Sequence, residues 1–322
     1  MDNIAKMKAI TVACRIIAAA VLIGLAVWVL TSGTFFGWQG ASFGFNMGGA
    51  RNVPSSQSIS AQGVRAINID WVAGRIDVRP WEGSEIQITE YSARELRSGE
   101  ALRLSAQDGI VSIDFRESRG PIVGNVAPKD LVVLIPHQVS DNLDSFTVNG
   151  MSSNIAVSGI SATTFSAEAI SGRVELTGIN SERLNAGTTS GRVELFDVTA
   201  VRIDLRTISG RIETTQTRAN DLDANTISGR QEISGDFAGR VNLDSVSGRI
   251  YLTSTTVPAD LRAHAVSGRI AVTVPNDGEV INVQHSSASG RFNSEIPVMM
   301  HGGDPQFRLS TTSGRVEIFA LR

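Results

Sequence analysis

The chain lacks the many cysteines of disulfide-rich proteins and the excess positive charge of nucleic-acid-binding proteins. It has 322 residues and a single cysteine, Cys14, so internal disulfides are excluded and the redox compartment stays open. Aromatic residues make up only 6% of the chain, whereas glycine occurs 31 times. This balance favours thin stacked layers over one thick core. The net charge of -3 and the pI of about 5.9 argue against a nucleic-acid partner.

Common catalytic and metal-binding motifs are also missing. No serine lies in a Gly-x-Ser-x-Gly elbow, and the glycines are not clustered as in a phosphate-binding loop. His264 and His285 lie about one repeat apart and could meet on one face. No cysteine or further histidine joins them at ligand spacing, so we predict no metal site and no cofactor.

Two acid pairs deserve comparison with the paired carboxylates of enzymes that cleave polysaccharides on a β-helix. They are Asp141 with Asp144 and Asp221 with Asp223. The second pair flanks Leu222, an inward position, so we expect both of its carboxylates to face solvent. The coils are short, whereas such enzymes need long loops and clustered acids. We therefore predict no catalytic residue and interpret the chain as not an enzyme.

A repeat dominates what is present. The triplet Ser-Gly-Arg recurs at four steps of 19 residues and then at steps of 20, 22 and 24 residues. A fixed period of this length indicates stacked coils. An earlier copy, Val72–Val78, places one more glycine in the same motif. The predicted turn glycines are Gly74, Gly172, Gly191, Gly210, Gly229, Gly248, Gly268, Gly290 and Gly314.

Each repeat predicts strands that meet at the glycine. Apolar residues stand two and four positions after it with a charged residue between them, the alternation of a half-buried strand. Apolar residues also recur seven and two positions before it. Glycine tolerates positive φ, which a sharp corner requires. The fold class predicted is all-β, a right-handed parallel β-solenoid with coils of about 19 residues.

Stacking brings the arginines of the triplet into one column. Glutamates two residues further along form a second column, and we expect ion pairs between the two columns to offset the repulsion among the arginines. A basic stripe for phosphate or anionic polysaccharide is the alternative. The candidate ligand-facing residues are Arg173, Arg192, Arg211, Arg230, Arg249 and Arg269.

The N-terminal region predicts a membrane anchor. Residues 16–37 are mostly apolar and follow three basic residues, which places the N-terminus in the cytoplasm. A cleaved signal peptide is the competing interpretation. The predicted location is the bacterial cytoplasmic membrane with the solenoid outside. The predicted segments are a tail (1–15), a transmembrane helix (16–37), a Gly/Ser-rich linker (38–58), a divergent β region or cap (59–152) and the regular solenoid (153–322).

The two ends of the solenoid deviate from the repeat. Gly74 and Ser153 are 79 residues apart, close to four periods, so four irregular coils are expected between them. At the other end the chain stops soon after Val316–Phe319. That last strand is a candidate docking edge for a partner or a second copy, unless the insertion at 297–305 covers it.

These features resemble a known group. The Ile-Ser-Gly-Arg-Val-Glu-Leu repeats, the stretch Ile67–Val78 and the strand Leu131–Pro136 are similar to those of the bacterial putative-adhesin family of β-strand-repeat proteins. The resemblance covers roughly residues 59–322. It implies a right-handed β-solenoid that is frequently membrane-anchored and extracytoplasmic, in a domain without an assigned function. Some members are linked to cell-envelope stress, and the family supplies no catalytic residues.

The leading hypothesis is a non-enzymatic, membrane-anchored binding or scaffold module of the cell envelope. Its outer columns would contact a wall polymer or another envelope protein. One alternative is a sensor of envelope stress that acts through its helix or a membrane partner. A polysaccharide-cleaving enzyme is the less favoured alternative. The sequence predicts no oligomeric state.

Overall fold

A computed structural model describes residues 53–116, 127–276, 278, 280–300 and 306–321. The predicted tail, membrane helix and most of the linker lie outside these residues. The described ranges contain no helix with the length and hydrophobicity of a membrane span. The linker was predicted to run to residue 58, but a strand already begins at Val53. Its side chains are mainly polar because it lies at one edge of the sheet.

Nearly all described elements are strands of one sheet. In chain order they are β1 (Val53–Ser60), β2 (Ala66–Trp81), β3 (Glu85–Ser92), β4 (Arg103–Gln107), β5 (Ile110–Asp114), β6 (Asp130–Pro136), the short helix α1 (His137–Ser140), β7 (Leu143–Ser158), β8 (Ser161–Thr177), β9 (Asn180–Phe196), β10 (Thr199–Phe237), β11 (Arg240–Ser254), β12 (Asp260–Val274), β13 (Ile281–Ser294), β14 (Val298–Met300) and β15 (Phe307–Ala320).

From β7 to β12 the strands pair in parallel, and each residue lies beside its equivalent one repeat later. Gly191 pairs with Gly172 on one side and with Gly210 on the other. We call each repeat of this parallel stack a coil. The strand β10 contains two coils in succession, those of Gly210 and Gly229. The fold is therefore all-β and built on a long parallel sheet.

Each coil buries a short apolar core. The residues seven and five positions before the glycine and those two and four positions after it point inward, as the alternation predicts. Residues two before the glycine instead face outward, and Ile170 and Val246 are 37% and 40% exposed. The chain bends at Ile-Ser-Gly, so two successive side chains lie on the outside. Gln231 replaces an inward aliphatic residue, and its amide nitrogen donates to the carbonyl oxygens of Ala224 and Asp244.

Close approach of neighbouring coils explains the glycine at the corner. A β-carbon at Gly191 would overlap the carbonyl oxygen of Gly172, and one at Gly210 would overlap that of Gly191. Gly191 has φ of 151°, but Gly210 is not among the described glycines with positive φ. Lack of room is therefore the requirement common to both positions, and positive φ is needed only in some coils.

A second corner follows the strand of the Ser-Gly-Arg triplet, or its equivalent, in four successive coils, those of Ser153, Gly172, Gly191 and Gly210. The residues at this corner have left-handed φ angles: Gly159 (63°), Gly178 (61°), Asp197 (53°) and Gln216 (52°). Backbone hydrogen bonds join this corner to the next coil, for example from Gly178 N to Phe196 O at 3.0 Å. The sequence analysis did not find this corner because two of its four residues are not glycine.

The N-terminal end of the sheet forms a cap, β1 to β6. Strand β2 pairs in parallel with β7 on one side and with β5 and β6 on the other. Gly74 therefore lies directly beside Ser153 in the adjacent coil. The prediction of four irregular coils between them is wrong, because the intervening strands pair antiparallel, β3 with β6 and with the preceding β1, and β4 with β5.

A buried ion pair lies inside this cap. The ammonium of Lys129 contacts Glu90 at 2.6 Å, and the two side chains are 3% and 0% exposed. The same ammonium donates to the carbonyl oxygens of Glu100 and Phe115 at 2.7 and 2.5 Å. It also lies 4.4 Å from the centre of the Phe115 ring. Burial lowers the pKa of Lys129, whereas the bond to Glu90 raises it.

The C-terminal coils do not stack in chain order. Strand β15 pairs with β12 on one side and β13 on the other, and β14 follows β13. The predicted docking edge at Val316–Phe319 is wrong, since that strand is paired on both sides. Inward positions of β15 hold buried Phe307 and Leu309. Those of β13 include the more polar His285 and Ser287, which suit the end of the stack.

Candidate ligand-facing surface

The arginines of the triplet project from the corner in one column. Register pairs Arg173 with Arg192 and Arg192 with Arg211. It also brings in two arginines outside the predicted set, Arg315 beside Arg269 and Arg291 beside Arg315. We call this column the arginine ladder, and its order in space is Arg173, Arg192, Arg211, Arg230, Arg249, Arg269, Arg315 and Arg291.

A second column lies two residues further along each coil, and it is accessible except at Ala271 and Glu317, which are buried. We call it the acid column, and its residues in the same spatial order are Glu175, Glu194, Glu213, Glu232, Tyr251, Ala271, Glu317 and Asn293. Carboxylates therefore fill the first four positions. Only one of the last four positions carries a carboxylate.

The first four arginines each lie close to a carboxylate. Arg173 lies 3.8 Å from Glu175 in its own coil and 3.6 Å from Glu194 in the next. Further pairs of 3.6 and 2.8 Å join Arg192 to Glu194 and Arg230 to Glu232. The expected pairing between the columns is therefore present here. The hydrogen bond to Glu232 also raises the pKa of Arg230.

The acid column is interrupted at Tyr251 and Ala271. Arg249 forms no side-chain ion pair or hydrogen bond with any residue of the described ranges. The Tyr251 ring lies between two other arginines, with guanidinium carbons 6.0 Å (Arg230) and 5.9 Å (Arg269) from its centre. These contacts are favourable, but they do not neutralise a charge.

Two shallow grooves lie along this surface. One, of about 480 Å³, is lined by Arg173, Arg192, Arg211, their glutamates and Phe196. The other, of about 350 Å³, is lined by Arg230, Tyr251 and the carboxylates Glu213 and Glu232, with the hydroxyl residues Thr215, Ser234 and Thr253. Both combine cations with hydrogen-bonding groups, which suits a polar ligand that lies along the strands.

Neither of the predicted acid pairs is buried. Asp221 and Asp223 lie on the outside as predicted, with Leu222 buried between them. Asp223 contacts Arg202 at 2.6 Å, and Asp221 lies 3.7 Å from Arg240. Each carboxylate is thus close to an arginine of its own. Asp141 follows α1, and its carboxylate bonds Ser140 at 3.2 Å.

The two histidines do not meet. Strand β15 lies between their strands, and His264 is beside Ser310 on the outer side whereas His285 pairs with Leu309. Asp244, His264 and Ser310 occupy equivalent positions of three adjacent strands, and His264 Nδ1 bonds Ser310 Oγ at 2.8 Å. Ser310 lies within a strand paired on both sides, so the backbone of its own segment is engaged in the sheet.

A metal site is the other kind of chemistry for which the sequence and the structure can be compared. Within the part of the chain that the structure describes, no group of three or more metal-ligating side chains comes together. Sequence reasoning did not single out Tyr251 as part of the ladder surface. The only signal that could have revealed it is the change from glutamate to tyrosine at a repeated position.

The chain is similar to one known protein family and to several solved structures. The sequence profile of the Toastrack DUF4097 family matches residues 64–319. No curated protein matches the chain. Among solved structures, a putative adhesin from Parabacteroides distasonis is 14% identical, with a TM-score of 0.46 over 83% of this chain and 97% of that one. One from Bacteroides fragilis is 12% identical, with a TM-score of 0.45 over 84% and 97%.

A further similar structure is a putative lipid binding protein from Parabacteroides distasonis. It is 10% identical, with a TM-score of 0.42 over 84% of this chain and 98% of that one. Likenesses of this size do not decide a function. The profile match extends over most of the chain, from the cap to the last strand, and the chain belongs to the Toastrack DUF4097 family.

Proposed function

We propose that this chain is a non-enzymatic, adhesin-like binding module of the bacterial cell envelope. In this proposal a right-handed parallel β-solenoid with coils of about 19 residues presents the arginine ladder to an anionic wall polymer. The observation that carries the proposal is the in-register column of outward arginines, such as Arg192 between Arg173 and Arg211. Neighbouring strands lie about 4.8 Å apart, so a polymer can meet several cations at once.

The proposed location is outside the cytoplasm, with residues 16–37 as the anchor in the cytoplasmic membrane and the N-terminus inside. Support comes from the apolar run and from the basic residues Lys6, Lys8 and Arg15 before or at its start. A surface with many weak, equivalent contacts suits an immobile polymer in the envelope, because simultaneous contacts raise the overall affinity.

Retention of wall fragments by the full chain tests this proposal. In the test variant serine replaces six ladder arginines, Arg173, Arg192, Arg211, Arg230, Arg249 and Arg269. In the matched control serine replaces six arginines elsewhere on the coils, Arg183, Arg202, Arg206, Arg218, Arg240 and Arg262. Both variants lose the same formal charge, and circular dichroism checks their folding.

We expect the ladder variant to lose retention and the control to keep most of it. Equal retention by both variants would contradict a role for the ladder. Recovery of an envelope protein in place of the polymer would redirect the proposal to a protein partner.

A further inference from the structure

The arginine ladder is not uniform in charge. Along its first four positions four arginines face four glutamates. Along its last four positions, the single carboxylate is that of Glu317, which lies 2.5 Å from Arg269 and 3.5 Å from Arg315. Excess positive charge is therefore concentrated in the C-terminal half of the ladder.

Arg249 is the first cation of this half, and no carboxylate of the described ranges compensates its charge. It is exposed, and its neighbours along the ladder are two more arginines, Arg230 and Arg269. Both neighbours have a carboxylate within 2.8 Å, Glu232 for the first and Glu317 for the second. Arg249 has none within the described ranges, because Tyr251 stands where the preceding four coils carry glutamate.

A bound oxyanion beside Arg249 would take the place that a glutamate carboxylate has beside the equivalent arginine in other coils. In four other coils the carboxylate two residues after the arginine lies 2.8–3.8 Å from it. A guanidinium binds carboxylate and phosphate oxygens with directed hydrogen bonds. The groove of about 350 Å³ beside Tyr251 offers the hydroxyls of Thr215, Ser234 and Thr253. Its carboxylates, Glu213 and Glu232, lie on the side of the preceding coils, away from the gap. Such hydroxyls can bond the neutral, hydroxyl-rich parts of a glycan beside its charged group.

We propose that Arg249, in the gap of the acid column, holds a carboxylate or phosphate group of an anionic glycan. This inference rests on the proposed function and specifies where on the ladder the anion binds. The paired arginines of the first four coils then guide the polymer but contribute less to affinity, because their charges are already compensated.

A substitution that fills the gap tests the inference without removing any arginine. Tyr251→Glu supplies the missing carboxylate, and Tyr251→Gln is the uncharged control. The full chain is immobilised and exposed to alginate, which carries carboxylates, to wall teichoic acid, which carries phosphates, and to neutral dextran. Retention is measured at low salt and at physiological salt, since exposed charge contacts are screened.

We expect Tyr251→Glu to retain the anionic polymer about tenfold more weakly than Tyr251→Gln, because both variants lose the ring and only the first adds a negative charge. The polymer that is retained identifies the anion as carboxylate or phosphate. A reciprocal variant, Glu213→Gln, opens a second gap and should strengthen retention.

Three outcomes would overturn the inference. Unchanged retention by Tyr251→Glu would remove Arg249 from the contact, although the proposed function would stand as long as the native chain binds. Equal losses for Tyr251→Glu and Tyr251→Gln, with unchanged melting, would assign the effect to the ring and not to charge. If the native chain retained none of the three polymers, the proposed function itself would fail.

Discussion

In the regular coils, β7 to β12, the inward side chains repeat from one coil to the next, and the glycine corners lie against one another. In the N-terminal cap, by contrast, strands of mixed direction surround one ion pair between Lys129 and Glu90. The first region is stabilised by many equivalent contacts, and the second depends on contacts that occur once. Strands of one sheet are therefore destabilised by different changes: loss of a repeated close contact in the coils, and loss of a single buried ion pair in the cap.

The largest expected effect is in the cap. Lys129→Met leaves Glu90 buried without its cation, which should lower the free energy of unfolding by about 3–5 kcal/mol. Chemical denaturation followed by tryptophan fluorescence reports on this region, because the Trp71 indole donates to the Lys129 carbonyl at 2.8 Å. The double variant Lys129→Met/Glu90→Leu should be more stable than the single one. A loss below about 1 kcal/mol in the single variant would contradict the importance of the pair.

A β-carbon at the corner tests the regular coils. Gly210→Ala places a methyl group against the carbonyl oxygen of Gly191, and backbone on both sides limits relaxation. We expect the free energy of unfolding, measured by thermal or chemical denaturation, to fall by about 3 kcal/mol. Gly187→Ala in the preceding coil is the matched control, since its nearest neighbour would be Arg206 O at an ordinary 3.4 Å. Similar results for the two variants would argue against close approach as the reason for glycine.

The second corner offers a smaller, stabilising change. Gln216 has φ of 52°, a conformation that costs a residue with a side chain more than it costs glycine. Gln216→Gly should raise the free energy of unfolding by about 0.5–1 kcal/mol, after allowing for the greater freedom of glycine in the unfolded chain. Gly178→Gln at the equivalent corner should lower it by a similar amount. If both substitutions destabilise the protein, the left-handed φ angle at this corner does not decide which residue is the more stable there.

The smallest effect concerns an exposed pair of the cap. Hydrogen bonds from Arg94 and from the Arg97 backbone lower the pKa of Glu100 to about 2. A depressed carboxyl pKa means that this contribution to stability is present above about pH 4.5 and is lost as the pH falls towards 2. Arg94→Gln should raise the pKa of Glu100 towards 4.5 in an NMR titration. A pKa near 2 in both proteins would mean that Arg94 is not its main cause.

The sequence predicts the regular coils well, because each repeat puts the same residue types in the same surroundings. The alternation around Gly191 alone indicates a strand, and eight related copies indicate the register. The arginine column and its pairing with glutamates follow from that register. These are consequences of a periodic pattern.

Features that occur once could not be predicted in the same way. Lys129, Glu90 and Phe115 come from separate segments, and only the folded cap brings them together. The insertion of β15 between β12 and β13 depends on the relative cost of leaving each coil at the end of the stack. Its indication in the sequence is slight, namely polar His285 and Ser287 in β13 at positions that other coils fill with buried residues.

Both proposals depend on the stacking order that places the ladder arginines side by side. Disulfide trapping tests it most directly, in a Cys14→Ser background with pairs of cysteines replacing the exposed serines before the glycine. Ser267 and Ser313 are register partners, as are Ser313 and Ser289. Adjacent strands bring their Cα atoms within the range for a disulfide, about 4.4–6.8 Å. The account predicts rapid cross-linking of Ser267→Cys/Ser313→Cys and of Ser313→Cys/Ser289→Cys, and little cross-linking of Ser267→Cys/Ser289→Cys. Preferential cross-linking of this last pair would contradict the stacking order.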